Sequence, residues 1–226
     1  MSATLPSNPT PATIRAPRAP HAQAVIGLAG VLALIAGAAL ILLLQFIPPT
    51  DAISPLTRTI SEYGLSTNKG LFNTAVLLVA GGSAALFGIQ LWRRALPAAS
   101  VVAGALWTLS LLAVVAFPKT NWATGPSADG TVHRIASVIG FVCLPIGILA
   151  AAGRVFPRSA NWRRVARVLG VVSLLWFGVI LGAIVVSLVV GGHWWTLIPL
   201  GLVERLMALT EVISVATLVR PALRTE

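Results

Sequence analysis

Charged side chains and cysteines are both scarce in this sequence. Only 10% of the 226 residues are Asp, Glu, Lys or Arg, whereas 57% are hydrophobic. This composition excludes an ordinary water-soluble domain and is typical of a polytopic membrane protein. Cys143 is the only cysteine, which excludes an intrachain disulfide. Because it lies in an apolar run, we expect a small packing residue rather than a nucleophile.

Motifs for nucleotide, ester and metal chemistry are absent as well. The sequence has no phosphate-binding glycine loop and no G-x-S-x-G, which excludes nucleotide-driven transport by this chain alone. No H-x-x-x-H or C-x-x-C spacing marks a metal site, and no cofactor is predicted. The net charge of +10 comes from arginines in short loops, where they set topology and contact anionic head groups. We therefore expect membrane lipids as partners and no nucleic acid.

Long apolar runs dominate the rest of the chain. A bilayer core about 30 Å thick requires roughly 20 apolar residues for each helical span. The runs cover about residues 24–47, 71–92, 100–117, 133–153, 168–190 and 199–219. The sequence therefore predicts an all-α fold, a polytopic transmembrane bundle of six helices with short loops.

The polar ends of the chain set its predicted domain boundaries and orientation. Residues 1–23 are rich in Pro, Ala, Thr and Ser, a composition that predicts a disordered tail. Residues 24–219 form the predicted six-helix transmembrane domain, and residues 220–226 a short C-terminal tail. Most arginines lie in the two tails and in the connections after the second and fourth spans. The positive-inside rule then places both termini in the cytoplasm of a multi-pass protein of the cell (plasma) membrane.

The polar segment Ser54–Gly64 follows the first span and lies on the predicted outer face. It contains Arg58, Ser61, Glu62 and Tyr63. In a helix, Arg58 and Glu62 are four residues apart and share a face, so they can form an ion pair. One interpretation is a solvated amphipathic segment with a local ion pair; the other is part of a binding site.

Two further groups of polar residues lie near the same face. Asp129 and His133 stand at the mouth of the fourth span, where Asp129 can cap the helix or bond the histidine ring. The sixth span contains Glu204, Arg205 and Glu211. Charged residues at membrane depth usually face the bundle interior or a wet cavity. For Glu211, near the midplane, a role in holding helices together and a role as a proton or substrate site both remain open.

Small residues recur within the predicted spans. Gly81 and Gly82 are adjacent, and Gly178 and Gly182 have a small-xxx-small spacing. Such residues allow helices to approach closely in lipid. We expect packing within the bundle at both places, and the same spacing leaves a homo-oligomer open.

Several of these polar pieces together carry a family resemblance. They are Ile53–Leu56, Ile60–Gly64, Phe117-Pro118, Gly130–His133 and Gly201–Leu206. With these pieces the chain resembles the DUF998 family of bacterial and archaeal membrane proteins over nearly its whole folded length. Its general plan is also similar to that of the Frag1/DRAM/Sfk1 group of six-span proteins, which is linked to lipid handling. The resemblance implies a six-span fold and leaves the activity undefined.

The leading hypothesis is a membrane protein that binds a lipid or another amphipathic ligand in an outward-facing polar pocket. Arg58 and Arg205 would hold an anionic head group, while Glu62, Glu204 and His133 would orient them. The predicted ligand-binding residues are Arg58, Ser61, Glu62, Tyr63, Asp129, His133, Glu204 and Arg205.

Two alternatives remain open. An intramembrane lipid hydrolase would use His133 as general base, oriented by Asp129, with Ser61 or a metal-bound water as nucleophile. A proton-coupled carrier would use Glu211 and would require a water path to that residue.

Overall fold

The computed structural model describes residues 19–121 and 124–223, and this part of the chain contains α-helices and 3₁₀ turns but no strand. The all-α membrane bundle expected from the sequence is confirmed. Most of the predicted N-terminal tail and residues 224–226 lie outside the described residues. The α-helices are α1 (Ala19–Leu44), α2 (Lys69–Trp92), α3 (Ala98–Ala116), α4 (Ala128–Val155), α5 (Ala160–Val190) and α6 (Leu200–Thr217).

Within the described residues, five of these helices, α1 to α5, are long and apolar enough to cross a membrane. The protein is therefore a multi-pass membrane protein. The last helix, α6, has 18 residues but carries Glu204, Arg205 and Glu211, and it is not among the five. A sixth span stays a prediction.

Three helices begin earlier than the apolar runs indicate. Residues 19–23, predicted to belong to the tail, form the first turn of α1, where a proline is tolerated. Helix α4 begins at Ala128, and the hydroxyl of Ser127 caps it by accepting a bond from the amide of Gly130 at 3.0 Å. Helix α5 begins at Ala160, so arginines expected in a loop lie on its first turns. Arginine is a good helix former, and its aliphatic stem can lie along an apolar surface.

Consecutive helices pack against each other, and α1 also contacts α6. Helices α1 and α2 approach each other closely, since a Cβ on Gly82 would lie 2.6 Å from the carbonyl oxygen of Gly30. Gly82 thus has the predicted packing role. The same prediction is wrong for Gly81 and for the pair Gly178 and Gly182, because all three are exposed and no atom beyond their chain neighbours and local helix backbone lies within 4 Å of a Cβ built on them. Self-association through this face stays a prediction.

Two buried cores lie toward opposite ends of the bundle. We call the end that carries residues 45–68 the loop end, and the end that carries residues 93–97 and 156–159 the arginine end. The larger core extends from mid-bundle to the arginine end and includes Leu86 and Leu144; a smaller core at the loop end surrounds Tyr63.

Candidate functional site

The first loop folds back onto the bundle instead of lying free at its surface. A 3₁₀ turn, Ile60–Leu65, directs Tyr63 into the loop-end core, where its side chain is completely buried. The hydroxyl of Tyr63 donates to Oε1 of Gln45 at 2.7 Å, and Nε2 of Gln45 donates to the carbonyl of Ile53 at 3.2 Å. These bonds hold the loop against the end of α1.

Arg205 joins α6 to this loop. Its Nη1 donates to the carbonyl oxygens of Pro55 at 3.1 Å, Arg58 at 2.8 Å and Gly201 at 3.0 Å. Its Nη2 donates to the hydroxyl of Tyr63 at 2.8 Å, and its guanidinium carbon lies 5.6 Å from the centroid of that ring. Much of the guanidinium is therefore occupied by the protein itself. We call these contacts the Arg205 clamp.

The backbone of α6 approaches the loop closely beside this clamp. A Cβ on Gly201 would lie 2.7 Å from the carbonyl oxygen of Pro55 and would also collide with that of Arg58. One turn further on, Oε2 of Glu204 accepts a bond from the amide of Ile60 at 3.1 Å. Glycine is required at position 201 because any side chain would push the loop away from α6.

Lys119 connects the first loop to the segment after α3. Its Nζ donates to Oγ1 of Thr59 at 2.6 Å and lies 2.9 Å from Oε1 of Glu62. Glu62 also forms the ion pair expected from its spacing, with Nε of Arg58 at 2.7 Å from Oε2. The Arg58 side chain is 64% exposed. Lys119 is not among the predicted site residues; its signal in the sequence is a lone lysine in the short segment after α3.

His133 is buried beneath the same segment. Its Nδ1 lies 2.9 Å from the carbonyl oxygen of Phe117. Because a carbonyl only accepts hydrogen bonds, Nδ1 carries a proton, and Nε2 of the neutral ring offers a lone pair. Asp129 is exposed, no hydrogen bond among the described residues joins it to His133, and Ser127 provides the cap. Asp129 therefore lies apart from the other predicted site residues.

A cavity of about 640 Å³ lies between α1, α2, α3, α4 and α6. Its walls in the middle of the bundle are apolar, and its polar side chains concentrate at the loop end. Five of the eight predicted site residues line it, whereas Arg58, Glu62 and Asp129 do not. The polar lining residues at the loop end are Gln45, Ser61, Tyr63, His133, Glu204 and Arg205.

The cavity has an opening on one side. Every lining residue contributed by α2, α3 and α4 is buried or half-buried. The exposed lining residues are Ile35, Ala39 and Leu42 of α1, Leu209 of α6, and Pro55. We call the gap between the loop-end halves of α1 and α6 the portal. At the arginine end the same helices close up, since a Cβ on Gly27 would lie 2.9 Å from the Val219 side chain.

Glu211 does not line this cavity. It is fully buried, and its Oε1 accepts a bond from the hydroxyl of Ser173 in α5 at 2.9 Å. Its Oε2 has no hydrogen-bond partner among the described residues. This setting favours the role of linking helices over that of a residue on a water path.

Metal ligands do not cluster in the described part of the chain, where no group of three or more His, Cys, Asp or Glu side chains is placed to hold an ion. His193, in the loop after α5, stacks on Trp195, with ring centroids 4.4 Å apart. A metal-bound water, considered above as a nucleophile, therefore has no ligand set in these residues.

The pieces that carried the resemblance meet in space. The first loop contacts the start of α6 through the Arg205 clamp, and the segment after α3 contacts the start of α4 through His133. Lys119 joins the two pairs. In comparisons with known proteins, no curated protein and no solved structure matches the chain. A family model described as "Protein of unknown function (DUF998)" matches residues 28–221, most of the sequence, and the chain belongs to this family.

Proposed function

We propose that the protein binds a lipid with a single hydrocarbon chain in the cavity, with its polar head at the loop end. The observation that carries this proposal is the shape of the lining: apolar walls along the chain and hydrogen-bonding groups concentrated at one end. A ligand that matches it must itself be apolar along most of its length and polar at one end.

The size of the cavity supports a single chain. Its volume of about 640 Å³ falls within the range of about 300–1,000 Å³ common for ligand pockets. A methylene group occupies about as much space as a water molecule, about 30 Å³, so roughly twenty such groups fill the cavity. One long acyl or isoprenoid chain with a small head needs this space, whereas a second chain of equal length would have to remain in the bilayer.

The polar end of the cavity favours a lipid with a neutral head group that carries a hydroxyl, whereas the sequence predicted an anionic head group. Arg205 is committed to its clamp, and Arg58 does not line the cavity. The carboxyl group of Glu204 uses Oε2 for the amide of Ile60, which leaves Oε1 available to a ligand. Nε2 of His133 offers a lone pair. Acceptors of this kind suit a donor such as an alcohol.

The portal supplies a route that keeps the hydrocarbon chain out of water. Because its rim is formed by exposed apolar side chains such as Ile35, Leu42 and Leu209, a lipid can enter sideways from the bilayer. We further propose that α6 completes a sixth span, since its 18 residues extend about 27 Å at 1.5 Å per residue. With both termini cytoplasmic in the plasma membrane, the portal then opens to the outer leaflet.

Native mass spectrometry of the detergent-purified protein tests the proposal. Ala38 lines the cavity, whereas Ala36 is exposed on the same helix and does not. Ala38→Trp should fill the cavity, and Ala36→Trp is its matched control. We expect wild type and Ala36→Trp to bind a discrete single-chain lipid, either one retained on purification or an added long-chain alcohol. Ala38→Trp should bind neither.

Three results would contradict the proposal. They are retention of the lipid by Ala38→Trp, equal loss of the lipid from Ala38→Trp and Ala36→Trp, and no lipid bound to wild type even after incubation with the alcohol. A melting temperature of Ala38→Trp close to that of wild type shows that loss of lipid is not loss of fold.

Hydrolysis of a bound lipid ester is a second candidate activity, favoured by one observation. Ser61 and His133 both line the cavity, and the Phe117 carbonyl holds the ring with Nε2 free to accept a proton. The orienting role assigned to Asp129 would pass to that carbonyl. The hydroxyl of Ser61 also shares a hydrogen bond with that of Thr59, at 3.2 Å. The same mass spectra separate lipid binding from hydrolysis, since a hydrolase converts an added ester and water into an acid and an alcohol.

A further inference from the structure

A second cavity lies at the arginine end of the bundle, outside the site described above. Its volume is about 380 Å³, and it is formed by the connection after α2, the end of α4 with the segment that follows, and the turn after α6. Four arginines line it: Arg93, Arg154, Arg158 and Arg220. Three separate parts of the chain thus bring positive charge to one concave surface.

None of the described acidic side chains forms an ion pair with Arg93, Arg154 or Arg220. None of the lining residues is acidic, and Glu226 lies outside the described part of the chain. The other acidic residues belong to the loop end or to the first three turns of α6 and are Asp51, Glu62, Asp129, Glu204 and Glu211.

Two of the four arginines make no hydrogen bond among the described residues, whereas Nη1 of Arg93 donates to Oε1 of Gln23 at 3.0 Å. Helix C-termini attract cations, and arginines at a helix end often bond its last carbonyls. Here that role belongs to Arg163, whose Nη1 donates to the carbonyls of Phe156 and Pro157 at 3.3 Å. Among the described residues, Arg154 has no hydrogen bond or ion pair, and Arg220 only stacks on Trp162, 5.2 Å from the ring centroid.

Gln90 gives an independent sign that a ligand is expected here. It lines the cavity and is completely buried. Its Nε2 donates to the carbonyl of Leu218 at 2.6 Å, and this bond fixes the amide because a carbonyl only accepts. Its Oε1 is left buried with no partner among the described residues, which is costly unless a donor arrives. A hydroxyl or an N–H on a ligand can supply that donor.

We propose that this cavity binds a phosphate ester that carries a free hydroxyl group, the chemistry of a phosphoglycerol lipid head or of free glycerol phosphate. The phosphate lies among the arginines, whose guanidinium groups match its oxygens in pairs. The hydroxyl donates to Oε1 of Gln90. Basic pockets between helices at a membrane surface are suited to anionic head groups. The site is at the opposite end of the bundle from the proposed lipid cavity and does not depend on it.

Binding of short-chain phosphatidylglycerol to the full protein in neutral detergent, followed by native mass spectrometry, tests the proposal. Arg154→Gln with Arg220→Gln removes two cavity arginines. Arg164→Gln with Arg167→Gln removes the same charge from exposed arginines of α5 that do not line the cavity. We expect the first pair to weaken binding about ten-fold or more, because charge-assisted bonds are lost, and the control pair less than about two-fold.

Competitors then identify the source and the chemistry of the ligand. Short-chain phosphatidylcholine should not compete, and phosphatidylmethanol, which has the same charge but no hydroxyl, should bind more weakly than phosphatidylglycerol. Competition by glycerol 3-phosphate supports a soluble ligand; its failure to compete supports a lipid head. Equal weakening by both pairs of substitutions, equal binding of phosphatidylcholine or phosphatidylmethanol, or no binding to wild type would overturn the proposal. Arg154→Gln alone changes a side chain that has no hydrogen-bond or ion-pair partner among the described residues, so it keeps the test valid if the double variant misfolds.

Discussion

Removal of the Arg205 clamp should release the first loop while the helices stay assembled. Arg205→Met keeps most of the stem and removes the bonds to Pro55, Arg58 and Tyr63, residues about 140 to 150 positions away. Hydrogen bonds to a charged group contribute about 1.5–3 kcal/mol each when buried. This guanidinium is only partly buried, so we take about 1 kcal/mol for each bond. The loss of about 3 kcal/mol raises the open population of the loop about a hundred-fold.

Trypsin cleavage after Arg58 measures this opening directly. The scissile carbonyl is held by Nη1 of Arg205 at 2.8 Å, so cleavage requires the loop to leave α6. When opening and closing are fast relative to cleavage, the rate follows the open population. We expect about hundred-fold faster cleavage in Arg205→Met, read by mass spectrometry of the fragment, with cleavage after the exposed Arg93 as internal reference.

The control for this experiment is Glu62→Gln. It removes the ion pairs to Arg58 and Lys119 and leaves the clamp, and partly exposed pairs contribute only about 0–1 kcal/mol each. Loss of both pairs costs at most about 2 kcal/mol, so cleavage of this variant should accelerate less than about thirty-fold. The reasoning is refuted if Arg205→Met is cleaved within about three-fold of the wild-type rate, or no faster than Glu62→Gln. Arg205→Lys, which keeps the charge but not the planar fork, should fall between wild type and Arg205→Met.

Two further predictions concern residues of α6. Gly201→Ala should lower the melting temperature and speed release of the first loop, because the added Cβ collides with the loop backbone. Gly81→Ala, at an open position, is the control and should be neutral or stabilise the protein by up to about 1 kcal/mol. Similar melting temperatures for the two variants would count against the close contact. Glu211→Gln should change the free energy of unfolding by less than about 1 kcal/mol because its amide oxygen can still accept from Ser173, whereas Ser173→Ala should cost about 1–3 kcal/mol. Unfolding in detergent mixtures measures both, and a large loss in Glu211→Gln would instead indicate that the carboxyl group itself is required.

The positions of the helices could be predicted from the sequence because the bilayer imposes a nearly fixed length on each apolar run. The first residue of each helix was less predictable. Helix α5 begins eight residues before its apolar run, at Ala160, since polar residues that reach the membrane surface continue the helix without adding hydrophobicity. Only tertiary contacts decide where such a helix starts, and hydropathy does not report them.

Five of the eight predicted site residues line the cavity, and the contacts of these residues were not predictable from the sequence. Arg205 stood out as a charge at membrane depth, yet its partners are backbone carbonyls, which have no signature in sequence. His133 was recognised, but its ring is fixed by Phe117, sixteen residues away, instead of by Asp129. The volume of the cavity and the position of its portal depend on how five helices pack, a property that residue periodicity does not encode.

If α6 forms the proposed sixth span, its contacts also impose an order on the assembly of the protein in its membrane. The helix carries three charged residues, and a charged residue costs up to about 2.5–3.5 kcal/mol to insert when it lies at the centre of a lone helix. Their partners all precede α6 in the chain: the loop carbonyls and Tyr63 for Arg205, Ile60 for Glu204 and Ser173 for Glu211. The ribosome has therefore synthesised every partner before α6 emerges, and the last helix can enter a nearly finished bundle at a reduced cost.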